Sequence, residues 1–231
     1  VTVMARGESP SRLSSKALPD LPDAIGMAGP VVGVHRDALI VAGGANFPVP
    51  EGVDLWEVPK IYHADAWVLT RTGKGYAWKS GFKLKQPVGY GMCVSTADGV
   101  VCLGGQTGET VFRDAFRLEW DAKEEALIQS PMPALPNALT GGAAALIGDV
   151  VYVAGGQSGT GLGSATKYFW RFDLAAEDGQ WEKLPPWPGP ERAFNQMVAQ
   201  HNGREMCLYL FGGRRQAVSY THLTLPTNRE V

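Results

Sequence analysis

Short apolar runs, each closed by a pair of glycines, recur along the chain. ALIVAGG ends at Gly43–Gly44, VVCLGG at Gly104–Gly105, VVYVAGG at Gly155–Gly156 and LYLFGG at Gly212–Gly213. Each follows a turn signal, Arg36-Asp37, Asp98-Gly99, Gly148-Asp149 or Asn202-Gly203, and before each turn stands a second run rich in small residues: GMAGPVVGV, GYGMCVS, LTGGAAALI and FNQMVAQ. Two short apolar runs across a tight turn predict a β-hairpin, so the chain predicts four. Beyond the glycines come a variable loop and an aromatic strand, DAWVL (65–69), DAFRL (114–118) or YFWRFDL (168–174). Trp78 and Trp181 mark a further strand, and Leu-Pro-rich links (LPDLP, PMPALP, KLPPWP) join the units.

Four strands per unit, a double glycine after the second, a tryptophan on the fourth and a period of roughly 50–60 residues resemble the kelch repeat. One such sheet cannot bury both faces alone, whereas stacking sheets around an axis buries each against the next. The expected fold is therefore all-β, a kelch-type β-propeller of about four blades. They span about 26–86, 87–136, 137–188 and a partial 189–216, after a segment 1–25 that leads into the propeller or supplies its closing strand.

After Gly213 the pattern stops. Val218 to Leu223 back-translate into the transposon end used in sequencing-library preparation, so residues 217–231 are expected to be a non-native tail. An open stack with a two-strand last blade would leave sheet edges unpaired, and aggregation is the expected result.

Composition narrows the function classes. With 29 glycines, 16 prolines and 19% charged residues, the chain suits strands and tight turns. A formal net charge of −2 gives no argument for nucleic acid or an anionic membrane, and no apolar run approaches the ~18 residues of a spanning helix. Cys93, Cys102 and Cys207 lack the spacing of a disulfide framework or a zinc site, so no metal is expected. No nucleophile elbow or phosphate loop is present. Oligomeric state is not legible.

The loops before each first strand and after each double glycine open on one face near the axis, where a propeller ligand would sit. They carry Asn46, Gln106, Gln157 and Arg214 after the glycines, and Gln86, Asn137, Glu191 and Arg192 before the inner strands. Arg113 closes the loop after Gln106. Amides donate and accept, and arginine grips a carboxylate with two parallel bonds, so this set suits a hydroxyl-rich, carboxylate-bearing ligand. The substrate-binding candidates are Asn46, Gln106, Arg113, Gln157 and Arg192. Glu51, Asp54, Glu57, Glu109 and Glu191 are acid or base candidates, and each amide could instead satisfy its own loop.

GGANFP (43–48), with GMAGPVVGVHRDALIVAGG before it and GYGMCVSTADGVVCLGGQTG after it, resembles the cyclically permuted branch of the N-acetylneuraminate epimerase (sialic acid mutarotase) family. ALIGDVVYVAGGQSGTG, WEKLPPWPGPERAFNQ and LYLFGG extend the likeness over most of residues 10–215. The resemblance implies a six-bladed bacterial propeller that interconverts the anomers of N-acetylneuraminic acid by acid–base ring opening, without a cofactor. It also implies that Arg192 faces the sugar carboxylate. The family's catalytic Glu/Arg pair would fall in a blade after residue 215, so this chain is expected to be inactive by itself. A non-catalytic kelch module binding a protein or glycan is the alternative. Location is expected to be periplasmic if the full-length protein has a signal peptide, and otherwise cytoplasmic.

Overall fold

The computed structural model describes residues 16–54 and 57–215. Strands β1 (Val31–His35) and β2 (Ala38–Ala42) pair across the Arg36-Asp37 turn. A small separate ladder, β3 (Ala45–Asn46) with β4 (Ile61–Tyr62), closes the base of loop 47–60. Strands β5 (Asp65–Thr72) and β6 (Gly75–Lys83) complete an antiparallel sheet in the order β1-β2-β5-β6. The second sheet holds β7 (Met92–Thr96), β8 (Gly99–Leu103), β9 (Ala115–Asp121) and β10 (Ala126–Met132) in the same spatial order. The third holds β11 (Ala143–Ile147), β12 (Val150–Ala154), β13 (Phe169–Asp173) and β14 (Glu182–Lys183). A last hairpin pairs β15 (Ala193–His201) with β16 (Met206–Arg214). The described residues contain no α-helix, and a 3-10 turn spans Leu162–Ser164.

The sheets stack face to face. Ile40 and Val68 of the first meet Val100, Leu118 and Trp120 of the second. Met92, Val101 and Leu103 of the second meet Val151, Val153 and Trp170 of the third, and Ala143 and Ala145 meet Met197 of the hairpin. Alternation puts one set of side chains on each face, so every four-stranded sheet can contribute to two interfaces. Each large apolar side chain buried there is worth about 1.5–3 kcal/mol.

The double glycines join one sheet to the next. The amides of Gly44, Gly105 and Gly156 donate to the carbonyls of Val88, Leu139 and Arg192, just ahead of the next inner strand, at 2.8, 2.9 and 2.8 Å. Both members of each pair have φ between +59° and +103°. A Cβ on Gly43 or Gly104 would collide with the Val88 or Leu139 carbonyl. Left-handed backbone and close approach together demand glycine here.

A second belt runs around the heads of the inner strands. Tyr90 N–H donates to Gly29 C=O (2.7 Å), Gly141 N–H to Tyr90 C=O (2.8 Å) and Phe194 N–H to Gly141 C=O (2.5 Å). All four residues are left-handed, with φ of 62°, 58°, 59° and 55° in chain order. Glycine and aromatic alternate because each ring fills the space over the preceding glycine. A Cβ on Gly29 would stand 2.5 Å from Tyr90 Cδ1, and one on Gly141 would stand 3.2 Å from Phe194 Cε1.

Candidate functional site

The belt forms the floor of a cleft of about 220 Å³. Tyr90 and Phe194 line it, their rings edge to face with centroids 6.1 Å apart. Gln106, Gln157 and Thr160 supply uncharged polar groups, and Lys60 and Arg214 supply charge. Both charged groups are cations, and no carboxylate lines the cleft among the described residues. A larger cleft, about 490 Å³, lies between the second and third sheets and shares no residue with this one. Its one arginine, Arg117, is tied to Glu119 at 3.0 Å. The smaller cleft has the convergent polar groups of a ligand site.

Local structure places each group. Gln106 and Gln157 directly follow their glycine pairs and bridge back to Gly89 and Thr140. Arg214 holds the equivalent position in the hairpin, opposite Ala193. Gln106 Nε2 donates to Tyr62 Oη (2.9 Å), and the Tyr62 ring packs edge-on to Tyr90 with centroids 6.3 Å apart. Gln157 is 2% exposed; its Nε2 donates to Gly159 C=O (2.9 Å), but its Oε1 has no partner. Arg214 lies over the Phe194 ring, 5.0 Å from its centroid.

Of the five binding candidates read from the sequence, Gln106 and Gln157 meet in this cleft. Asn46 does not line it. That side chain is buried, donating from Nδ2 to Gly26 C=O (3.2 Å) and sharing a 2.8 Å hydrogen bond between Oδ1 and His63 Nε2. Arg192 lines a neighbouring cleft with Glu191 and Arg214. Its Nη1 donates to Gly212 C=O (2.9 Å), its guanidinium lies 5.9 Å from the Trp187 ring centroid, and its buried Nε has no partner. Arg113 is exposed and lines neither, while its carbonyl accepts from Leu135 N–H at 2.8 Å. Lys60, Tyr90 and Phe194 were not among the candidates. The signal for the two aromatics was positional, since they occupy places where other units carry Gly29 and Gly141.

This architecture, four-stranded antiparallel sheets stacked about inner strands and locked by glycine pairs, defines a partial kelch-type β-propeller. The solved "Structure of YjhT" superposes with a TM-score of 0.61 at 14% identity, covering 82% of this chain and 60% of that one. Residues 132–227 match the family model NANM, N-acetylneuraminate epimerase. N-acetylneuraminate epimerase of Haemophilus influenzae (strain PittEE) is 44% identical over 82 residues, 35% of this chain and 19% of that protein. The Yersinia pestis (strain Pestoides F) protein of the same name is 31% identical over 108 residues, 41% and 25% respectively. The match thus spans a quarter or less of these relatives' length. The family match runs into the stretch 217–231, expected from its sequence to be a non-native tail, which lies outside the described residues.

Proposed function

We propose that the cleft takes N-acetylneuraminate and that the protein interconverts its α and β anomers. Support comes from the relatives' name and from one feature of the cleft: two cations and two amides converge there with no opposing carboxylate. Such a wall suits a sugar acid, whose hydroxyls match the amides and whose charge matches the cations.

Anomer exchange moves protons only. A base takes the anomeric hydroxyl proton, an acid delivers one to the ring oxygen, and the bond between the anomeric carbon and that oxygen opens to the keto form. Rotation and reclosure with the reverse transfers give the other anomer. The cleft residues hold and orient the sugar for this, and no Glu/Arg acid–base pair is found among those lining it. That lack favours, as a second reading, a glycan-binding role for this part of the protein.

Saturation-transfer NMR with N-acetylneuraminate, run beside the decay of freshly released α-anomer, separates the two. Binding with decay faster than in buffer supports the isomerase. Binding at the buffer rate shows a binding role for this stretch of chain, the outcome expected where the acid–base pair lies outside the cleft, and no binding removes both.

A further inference from the structure

Lys60 stands one residue before β4, where the β3–β4 ladder fixes the end of its loop. Its Nζ is 5.1 Å from the Phe47 ring centroid and 5.0 Å from that of Tyr90, and it donates to Tyr90 Oη at 3.0 Å. An ammonium has three N–H donors, so this hydroxyl uses one. Lys60 forms no ion pair with a carboxylate among the described residues. The cation is thus held by the Tyr90 hydroxyl and lies beside the Phe47 ring, with donors to spare, at the wall of the cleft.

Tyr90 supplies an independent observation. Its φ of 58° is a strained conformation for a residue with a side chain, and two other units place glycine there. The ring packs over Gly29 and against Tyr62 and Phe194, and its hydroxyl accepts from Lys60. Of the competing arginines, Arg192 is engaged with Gly212 C=O and Trp187 and lines a different cleft, and Arg214 in this cleft is stacked over the Phe194 ring.

We infer that Lys60 is the carboxylate anchor of this cleft, a specificity-determining residue for acidic sugars, and that Tyr90 is its positioning residue. This rests on the cleft being a sugar-acid site. The carboxylate accepts from Lys60 Nζ, the rings of Tyr90 and Phe194 face the sugar's C–H surface, and Gln106 and Gln157 meet its hydroxyls.

The test is an NMR titration of the whole chain at low salt with N-acetylneuraminate, its methyl ester and glucuronate. Lys60 is exposed on a loop, so Lys60→Met should fold like the wild type. Lys60→Met is expected to weaken N-acetylneuraminate binding by up to about fivefold, the upper scale of an exposed charge pair, while leaving the methyl ester unchanged. Lys60→Arg should restore part of the acid's advantage, and Tyr90→Phe should shrink the acid-to-ester ratio without abolishing ester binding. An unchanged acid-to-ester ratio in Lys60→Met overturns the anchor. Binding of glucuronate alone, dependent on Lys60, would defeat the sialic acid reading and keep the anchor. No binding of either acid by the wild type overturns both.

Discussion

The imidazole of His35 accepts the Trp120 amide at Nδ1, 2.9 Å away, and so joins the end of β1 to β9 in the next sheet. Only unprotonated Nδ1 can accept, and His35 is 1% exposed. Burial, then the Arg36 charge, holds its pKa below the ordinary 6.5, against smaller opposing effects of Glu119 and Asp98.

Because the folded-state pKa is depressed, the unfolded chain binds the proton more readily. The stability this neutral histidine contributes is complete above about pH 6.5 and is lost as pH falls through the lower folded value. Thermal melts from pH 7.5 to 5 should therefore show Tm falling in the acid half. His35→Asn keeps an acceptor without a titrating ring and should flatten that fall. Equal slopes in both proteins would show that His35 is not the group responsible.

The glycine pairs allow a cleaner separation of backbone strain from crowding. Gly104 has φ +59° and faces the Leu139 carbonyl, whereas Gly203, at φ +99° in the last hairpin's turn, has no atom within 4 Å of where a Cβ would sit. Gly203→Ala should cost about 1 kcal/mol, the left-handed backbone alone. Gly104→Ala should cost about 2–4 kcal/mol, because the contact between sheets must also open. Urea midpoints of the two variants measure the difference, and equal losses would mean the inter-sheet contact yields freely.

The four hairpins, their turns and the glycine pairs were legible because each has a local cause: apolar runs of strand length, turn dipeptides and a recurring pair with positive φ. Gln106 and Gln157 followed from their place after the glycines. The roles of Lys60 and Asn46 did not, for a physical reason. Both lie at the base of loop 47–60, and only the β3–β4 ladder and the His63 contact decide which side chain turns into the fold and which faces the cleft. Arg192 was readable as a residue ahead of an inner strand, but its bond to Gly212 depends on the register of β15 and β16 at their open end, which the turn signal alone does not fix. Tyr90 and Phe194 carried only a positional signal, standing where other units have Gly29 and Gly141, and their left-handed φ follows from the hydrogen-bonded belt and not from their own residue type.

Gln157 should separate stability from binding. A buried acceptor without a donor costs about 1–3 kcal/mol, so removing it can be neutral or stabilising. Gln157→Met, close in size and without the amide, is expected to melt at or above the wild-type temperature. The same variant should bind N-acetylneuraminate roughly fivefold more weakly, through loss of a hydroxyl contact. Paired melts and NMR titrations check this, and unchanged affinity would place the amide outside the ligand's reach.

The last hairpin has two unlike faces. Met197 faces the third sheet, while Val198 and its cross-strand partner Tyr209 are 46% and 44% exposed, with Phe211 on the same face at 51%. No strand pairs with the far edge of β16 among the described residues. An apolar face beside an open edge is a template for another chain. The 231-residue chain should therefore associate at micromolar concentration, and Tyr209→Lys with Phe211→Lys should raise its monomeric fraction several-fold, since charge at an edge opposes strand addition. Both substitutions leave Met197 and the interface with the third sheet untouched. Size-exclusion chromatography with light scattering reads the outcome directly: a monodisperse wild-type monomer would mean that the exposed face does not drive association.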